Sequence, residues 1–223
     1  MAKHLAWSWS RLNQFEECPW EFYHNAIAKD VTITPEQEAI FAEGRAQHSC
    51  LELMVQNNCD GFNDPRTAHM ESFIRSFRVA YPDVQAERKL TLREDLSETS
   101  WRDWDGAWVR SALDMTGING ERAAIVDWKT GRPWPDGGQL ALNSVVLMTV
   151  HPQIQVVDTS YIYIHHNKAE TKQYTRDQVP VIWDDFRRRV EPMQIAHENQ
   201  EWIQKPGRHC GRCSLTKAQC KYK

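Results

Sequence analysis

Apolar residues recur along the chain in two different periods, and the change from one period to the other outlines its elements. Leu12, Phe15 and Phe22 fall at roughly helical spacing behind Ser10, a plausible N-cap, around a break at Cys18-Pro19. A second helix is predicted from Pro35 to about Asn57, with Phe41, His48, Leu51 and Val55 on one stripe. A third covers about Arg66–Ala80, turns Met70, Phe73, Ile74 and Phe77 inward, and stops at Pro82. The period then shortens to two. Val84–Leu92 alternates, with Val84, Ala86, Leu90 and Leu92 opposite Gln85, Glu87, Lys89 and Thr91. Ala107–Thr116 and Ala123–Lys129 follow as strands on either side of Asn119-Gly120, a hairpin signal. After a loop over Gly131–Gly138 come an apolar helix at Gln139–Val150, a strand at Val156–His165, and a helix at about Val179–Trp202 interrupted near Pro192. This order predicts an α/β sheet covered by helices.

Composition narrows the class without naming it. The 223 residues suit one large domain, or a domain with a small appendage, and 41% hydrophobic with 26% charged residues is ordinary for a globular enzyme. No apolar run of the ~18 residues needed for a span is present, and Met1–Ser10 carries no secretion pattern, so a cytoplasmic protein is expected. The net charge of −3 does not announce nucleic-acid binding, although Arg187, Arg188 and Arg189 form a local basic cluster and lysines and arginines gather after Lys205. The plainer explanation of both is a solvated helix face and a basic tail. Ten tryptophans suggest core more than base-stacking platforms.

The strongest chemical signal is Asp114 followed by Asp127-Trp128-Lys129. Strand residues two apart share a face, so Asp127 and Lys129 project together. Pairing across the Asn119-Gly120 turn brings Asp114 within reach. Two carboxylates and a main-chain oxygen suit a hard cation, Mg²⁺ or Mn²⁺, which neutralises phosphate charge and activates water. A neighbouring lysine can orient that water or stabilise charge on phosphate oxygens. An isolated Asp-x-Lys is more often an exposed ion pair, so context must decide.

The cysteines form a second constellation. Cys210, Cys213 and Cys220 lie in a Cys-x2-Cys-x6-Cys tail, the spacing of a loop wrapped around one metal centre. Thiolates suit zinc and an iron–sulfur cluster alike. A disulfide conflicts with a reducing cytoplasm, and Cys50 and Cys59 read as plain thiols.

The context resembles the RecB-like PD-(D/E)xK nucleases, particularly the CRISPR-adaptation exonuclease family and its relatives in helicase–nuclease subunits. Five parts carry the resemblance: Ser10–Phe22 (SRLNQFEECPWEF); Gly44–His48 with Leu51-Glu52; Leu113-Asp114 with Ile125–Gly131 (IVDWKTG); Gln139–Leu142; and the C-terminal cysteines. It implies one RecB-like nuclease domain over residues 1–223, with a restriction-endonuclease-like core: a central mixed β-sheet flanked by helices. It also implies that His48, Asp114, Asp127 and the main-chain carbonyl of Trp128 hold Mg²⁺ or Mn²⁺, that Lys129 and Gln139 assist, and that Glu87 supports the site. An imidazole ligand would favour Mn²⁺. Cys18 is implied as the fourth thiolate of a [4Fe–4S] cluster joining segments of about 8–28 and 205–223, with zinc the alternative. The implied activity is DNA exonuclease action at single-stranded ends or tails. The alternatives are a catalytically dispensable DNA-end adaptor beside an integrase or helicase, and a zinc-bearing structural module. No Gly-x-x-x-x-Gly-Lys-Ser/Thr loop is present, so a motor would be a separate partner. One position departs: Asn143 stands where the family's Gln-x-x-x-Tyr helix has tyrosine, which puts substrate positioning in doubt.

Overall fold

The computed structural model describes residues 5–61, 64–133, 138–166 and 168–223. Its centre is a five-stranded mixed sheet in the order β1-β2-β3-β4-β5: Asp83–Leu92, Val109–Asn119, Arg122–Lys129, Val156–Tyr163 and Lys168–Thr175. Neighbours are antiparallel except β3 and β4, which run parallel. A parallel pair needs a crossover. Helix α5, Gln139–Val150, supplies it, and its nearly all-apolar sequence matches a helix buried on most sides.

Two cores sandwich the sheet. On one face α1 (Trp9–Glu17), α2 (Pro19–Phe22), α5 and α6 (Val179–Asn199) bury Leu12, Phe15, Phe22, Val145, Met148, Trp183 and Phe186 against Leu113 and Ile125. On the other, α3 (Pro35–Gln56) and α4 (Glu71–Ala80) bury Leu51, Met54, Ile74 and Phe77 against Met115, Val126 and Trp128. Helix α3 starts sharply because Thr34 Oγ1 accepts from Gln37 N–H and Gln37 Oε1 accepts from Thr34 N–H, with Pro35 as the first helical residue. Trp7, Trp108, Trp128, Trp183 and Trp202 are buried, in keeping with a core role. Among the described residues no helix is long and apolar enough to cross a membrane.

Several sequence expectations need correction. The first helix is capped at Ser8, not Ser10. The helix expected from Arg66 begins as a turn and a 3₁₀ segment, Ala68–Met70, before α4. Pro192 does not interrupt α6, which loses at most one ladder bond there and continues to Asn199. Phe41, placed on the inward stripe of α3, is 49% exposed. Strand β5 was missed because Lys168–Thr175 is mostly polar; it is an edge strand, where lysines discourage further pairing. The loop expected over Gly131–Gly138 lies partly outside the described residues.

The strand face of β1 is the most informative correction. Val84 and Ala86 pack against the α3–α4 core, whereas Leu90 and Leu92 belong to the opposite one. Alternation flips at Glu87, whose φ of 48° lies in the left-handed region. On β2 the same flip separates Leu113 from Met115, with Asp114 between them.

Gly117 of β2 tests how tightly α4 sits. A Cβ there would meet Phe77 Cε1 and Tyr81 Cβ and Cγ, each at 2.6 Å. Gly117→Ala is expected to destabilise the protein by ~1–3 kcal/mol through overpacking, a Tm fall of roughly 2–12 °C by thermal unfolding. An unchanged Tm would mean that α4 yields freely.

Candidate active site

The site is a consequence of strand divergence. β2 and β3 pair from Asn119↔Arg122 to Met115↔Val126 and then part, β2 continuing beside β1 and β3 beside β4 as far as Lys129↔Tyr163. Asp114 and Asp127 are the first residues beyond the fork. The Trp128 N–H bridges it by donating to Asp114 Oδ2 at 2.8 Å. Ala86↔Met115 and Arg88↔Leu113 place Glu87 opposite Asp114 on the neighbouring strand. Helix α3 crosses the fork, and its His48 Nδ1 lies 3.5 Å from Asp114 Oδ2. One ligand atom each from His48, Glu87 and Asp114 lie within 4.8 Å of one another. An imidazole with two carboxylates is a donor set for a divalent cation. Strain at Glu87, a non-glycine residue in the left-handed region, is the kind that surrounding structure enforces at functional sites.

Asp127 belongs to an adjoining group instead. Its Oδ2 lies 2.6 Å from Lys129 Nζ, and its Oδ1 accepts from Gln139 Nε2 at 2.7 Å. Lys129 Nζ also donates to Gln139 Oε1 at 2.9 Å, and so does the Tyr161 hydroxyl at 3.3 Å. The expected set of His48, Asp114 and Asp127 is therefore gathered in part: Glu87 stands with the first two, while Asp127 is held toward α5. Asp127 Oδ2 is buried and, apart from the ion pair, has no aligned hydrogen bond among the described residues, which leaves it suited to a cation.

The titrating groups report uncompensated negative charge. Burial, then Asp114, pushes the Asp127 carboxyl up to about 6, against the opposing pull of Lys129 and His48. Burial first, then Asp114 and Glu52, raises Glu87. His48 is raised chiefly by its hydrogen bond to Asp114, with burial opposing and the Asp114, Asp127 and Glu87 charges adding to the rise. A bound cation would relieve all three.

Supporting residues lie just outside. Gln47, beside His48, receives a 2.7 Å contact on Oε1 from His165 Nε2 and donates to Glu43 at 2.8 Å, tying α3 to the turn after β4. Asn143 is engaged away from the Asp127–Lys129–Gln139 group: its side-chain carbonyl accepts from Ser111 Oγ at 2.6 Å and pins α5 to β2. Tyr161 escaped sequence reasoning, because one tyrosine in an alternating strand carries no motif.

The arginine cluster divides by role. Arg189 makes a two-oxygen ion pair with Glu16, each contact 2.7 Å, and lies over Trp9 and Phe186. Arg187 donates to the Glu94 carbonyl at 2.9 Å and lies over Trp108. Both have structural tasks. Arg188 is exposed, and its bonds are to Asp184 and Asp185 of its own helix.

Around the cysteines, the tail is clasped to the N-terminal helices. Arg212 Nη2 reaches Glu17 Oε1 at 2.6 Å, Glu21 Oε1 accepts from Ser214 N–H at 3.1 Å, and Trp20 Nε1 donates to the Gln219 carbonyl at 2.8 Å. These contacts join the segment around Cys18 to the neighbours of Cys213 and Cys220. The Gly207 N–H points at Cys210 Sγ, 3.3 Å away. Burial raises the Cys213 thiol to about 11. Among the described residues, no three of these sulfurs lie within 4.8 Å of one another. Cys50 and Cys59 are buried elsewhere, in the α3–α4 core.

Comparison with known proteins identifies the family. Residues 6–221 match the PD-(D/E)XK nuclease superfamily. The chain belongs to that superfamily. A structure from Eubacterium rectale described as "Putative exonuclease" superposes with a TM-score of 0.54 at 12% identity, covering 93% of this chain and 86% of that one. The structure of SSO0001 covers 96% of this chain and 85% of its own at 12% identity, with a TM-score of 0.45. No curated protein matches.

Proposed function

We propose that this nuclease is a divalent-metal-dependent DNA exonuclease acting at single-stranded ends or tails, of the RecB-like CRISPR-adaptation type, working in the cytoplasm beside a helicase or integrase partner. The observation that carries the reading is the fork, which sets Asp114, Asp127 and Lys129 against His48 and Glu87. His48, Glu87 and Asp114 would hold Mg²⁺ or Mn²⁺, joined by Asp127 and the Trp128 carbonyl. Such a cation supplies Lewis-acid stabilisation of the phosphate and a more acidic water. The chain's own residues do the rest. Lys129 presents a fixed ammonium to the phosphate oxygens, and Gln139 orients both Lys129 and Asp127.

Cys18, Cys210, Cys213 and Cys220 are proposed to hold a [4Fe–4S] cluster. The clasp between their two segments supports a shared centre. Arg188 remains a candidate DNA contact, with Arg187 and Arg189 as supports.

The test is cleavage of end-labelled single- and double-stranded DNA by anaerobically purified protein with Mn²⁺, with Mg²⁺ and with chelator. Metal-dependent shortening of single-stranded ends is the expected result. DNA binding without cleavage under any metal would replace this reading with the adaptor. In parallel, Cys213→Ser is expected to lose bound iron and visible absorbance, measured by metal analysis; stoichiometric zinc in the wild-type protein would sink the cluster.

A further inference from the structure

Lysine is a poor fixed point. Its ammonium is strongly hydrated and rides on a flexible four-carbon stem, so a lysine that must meet a phosphate at one position needs neighbours to hold it there. Among the described residues, Lys129 is met by Asp127 Oδ2 at 2.6 Å, Gln139 Oε1 at 2.9 Å, and the ring of Tyr161, whose centroid is 4.6 Å from Nζ. Tyr161 is the Cα partner of Asp127 in the parallel ladder between β3 and β4, so its ring leaves the sheet on the catalytic face. It is 3% exposed and packs with Leu140 and Tyr163, which fixes both its torsions.

Its hydroxyl does a second thing. A glutamine amide can turn by half a revolution at little cost unless its partners decide between oxygen and nitrogen. Gln139 Oε1 receives both the Lys129 ammonium and the Tyr161 hydroxyl, while Nε2 faces the Asp127 carboxylate. Turned over, the amide would set N–H groups against an ammonium and its carbonyl against a carboxylate.

We propose that Tyr161 is a positioning residue for Lys129: its ring seats the ammonium and its hydroxyl locks the Gln139 amide. This rests on the nuclease reading above and specifies which neighbour makes that site work. The arrangement would matter most with Asp127 holding a cation, because Lys129 would then share or lose its 2.6 Å partner. Among the described residues, the Gln139 oxygen and the aromatic face would still hold it.

A double-mutant cycle in kcat tests this. Tyr161→Phe keeps the ring and removes the hydroxyl, and its effect is expected to be about a tenfold fall in kcat with KM for a single-stranded oligonucleotide unchanged, the size of one hydrogen bond in a charged network. In a Gln139→Ala background the same change is expected to cost less than about twofold, because the amide it orients is gone. Tyr161→Leu, which also removes the ring, should cost at least a further ~tenfold. Equal factors in both backgrounds would overturn the proposal, as would a loss of Tm with kcat retained. A wild-type protein that cleaves no DNA overturns the nuclease reading itself; one that cleaves, with Tyr161 and Gln139 acting additively, overturns only this inference.

Discussion

Asp114→Asn is expected to reduce metal-dependent DNA cleavage by ~10³-fold or more while leaving the fold intact. The activity loss follows from position. Asp114 is the one carboxylate that touches both parts of the site, 3.5 Å from His48 Nδ1 and 2.8 Å from the Trp128 N–H. Lewis-acid stabilisation of a phosphoryl transition state amounts to several kcal/mol, and 1.36 kcal/mol is a tenfold change in rate. The fold survives because an asparagine oxygen still accepts from Trp128. Cleavage rates and thermal unfolding in chelator check the two halves separately. Cleavage within tenfold of wild type would remove Asp114 from the metal site.

The fold was legible wherever burial imposed a period. α3, α5 and strands β1 to β4 were read close to their limits, because Leu51, Val55, Leu147 and Ile125 repeat at the spacing of the face they bury. β5 was not legible: an edge strand with lysine, glutamate and glutamine outward gives no alternation to read. The flip of β1 at Glu87 was likewise hidden, since a left-handed residue inside a strand leaves no mark in a sequence that goes on alternating.

The site was legible as residue types and less so as partners. Asp127, Lys129 and Gln139 share one short-range network, which Asp114 joins through the Trp128 N–H; strand pairing suggested the two aspartates and the lysine, whereas Gln139 came only from the family resemblance. The pairing of Glu87 with His48 and Asp114, rather than Asp127 with them, depends on strand register and on where β2 and β3 part. Tyr161 depends on a parallel pairing between strands separated by a whole helix.

Removing divalent metal is expected to make stability fall as pH rises from mildly acid to alkaline, and adding it back should reverse the fall. The sign follows from three groups. The folded-state carboxyl of Asp127 stands at about 6 against an ordinary 3.8, so between those values the unfolded chain releases its proton while the folded chain keeps it. Where the folded state binds more protons, stability drops as pH increases. Glu87, raised by burial, acts in the same direction. His48 is raised from 6.5 by Asp114, so its contribution is complete below that value and is lost as pH climbs through the higher folded one. All three slopes agree, and none is cancelled by the others. A cation bound among the same carboxylates competes with protons, so its stabilising effect should grow with pH. At a hundred times its dissociation constant it contributes ~2.7 kcal/mol, which for a chain of this length is roughly 5–11 °C in Tm. Thermal unfolding at pH 5, 6.5 and 8, with chelator and with Mn²⁺, measures both effects, and Asp127→Asn isolates the carboxylate by flattening the slope between pH 4 and 6. A metal-induced Tm rise as large at pH 5 as at pH 8 would mean that the cation is held by groups other than His48, Glu87, Asp114 and Asp127.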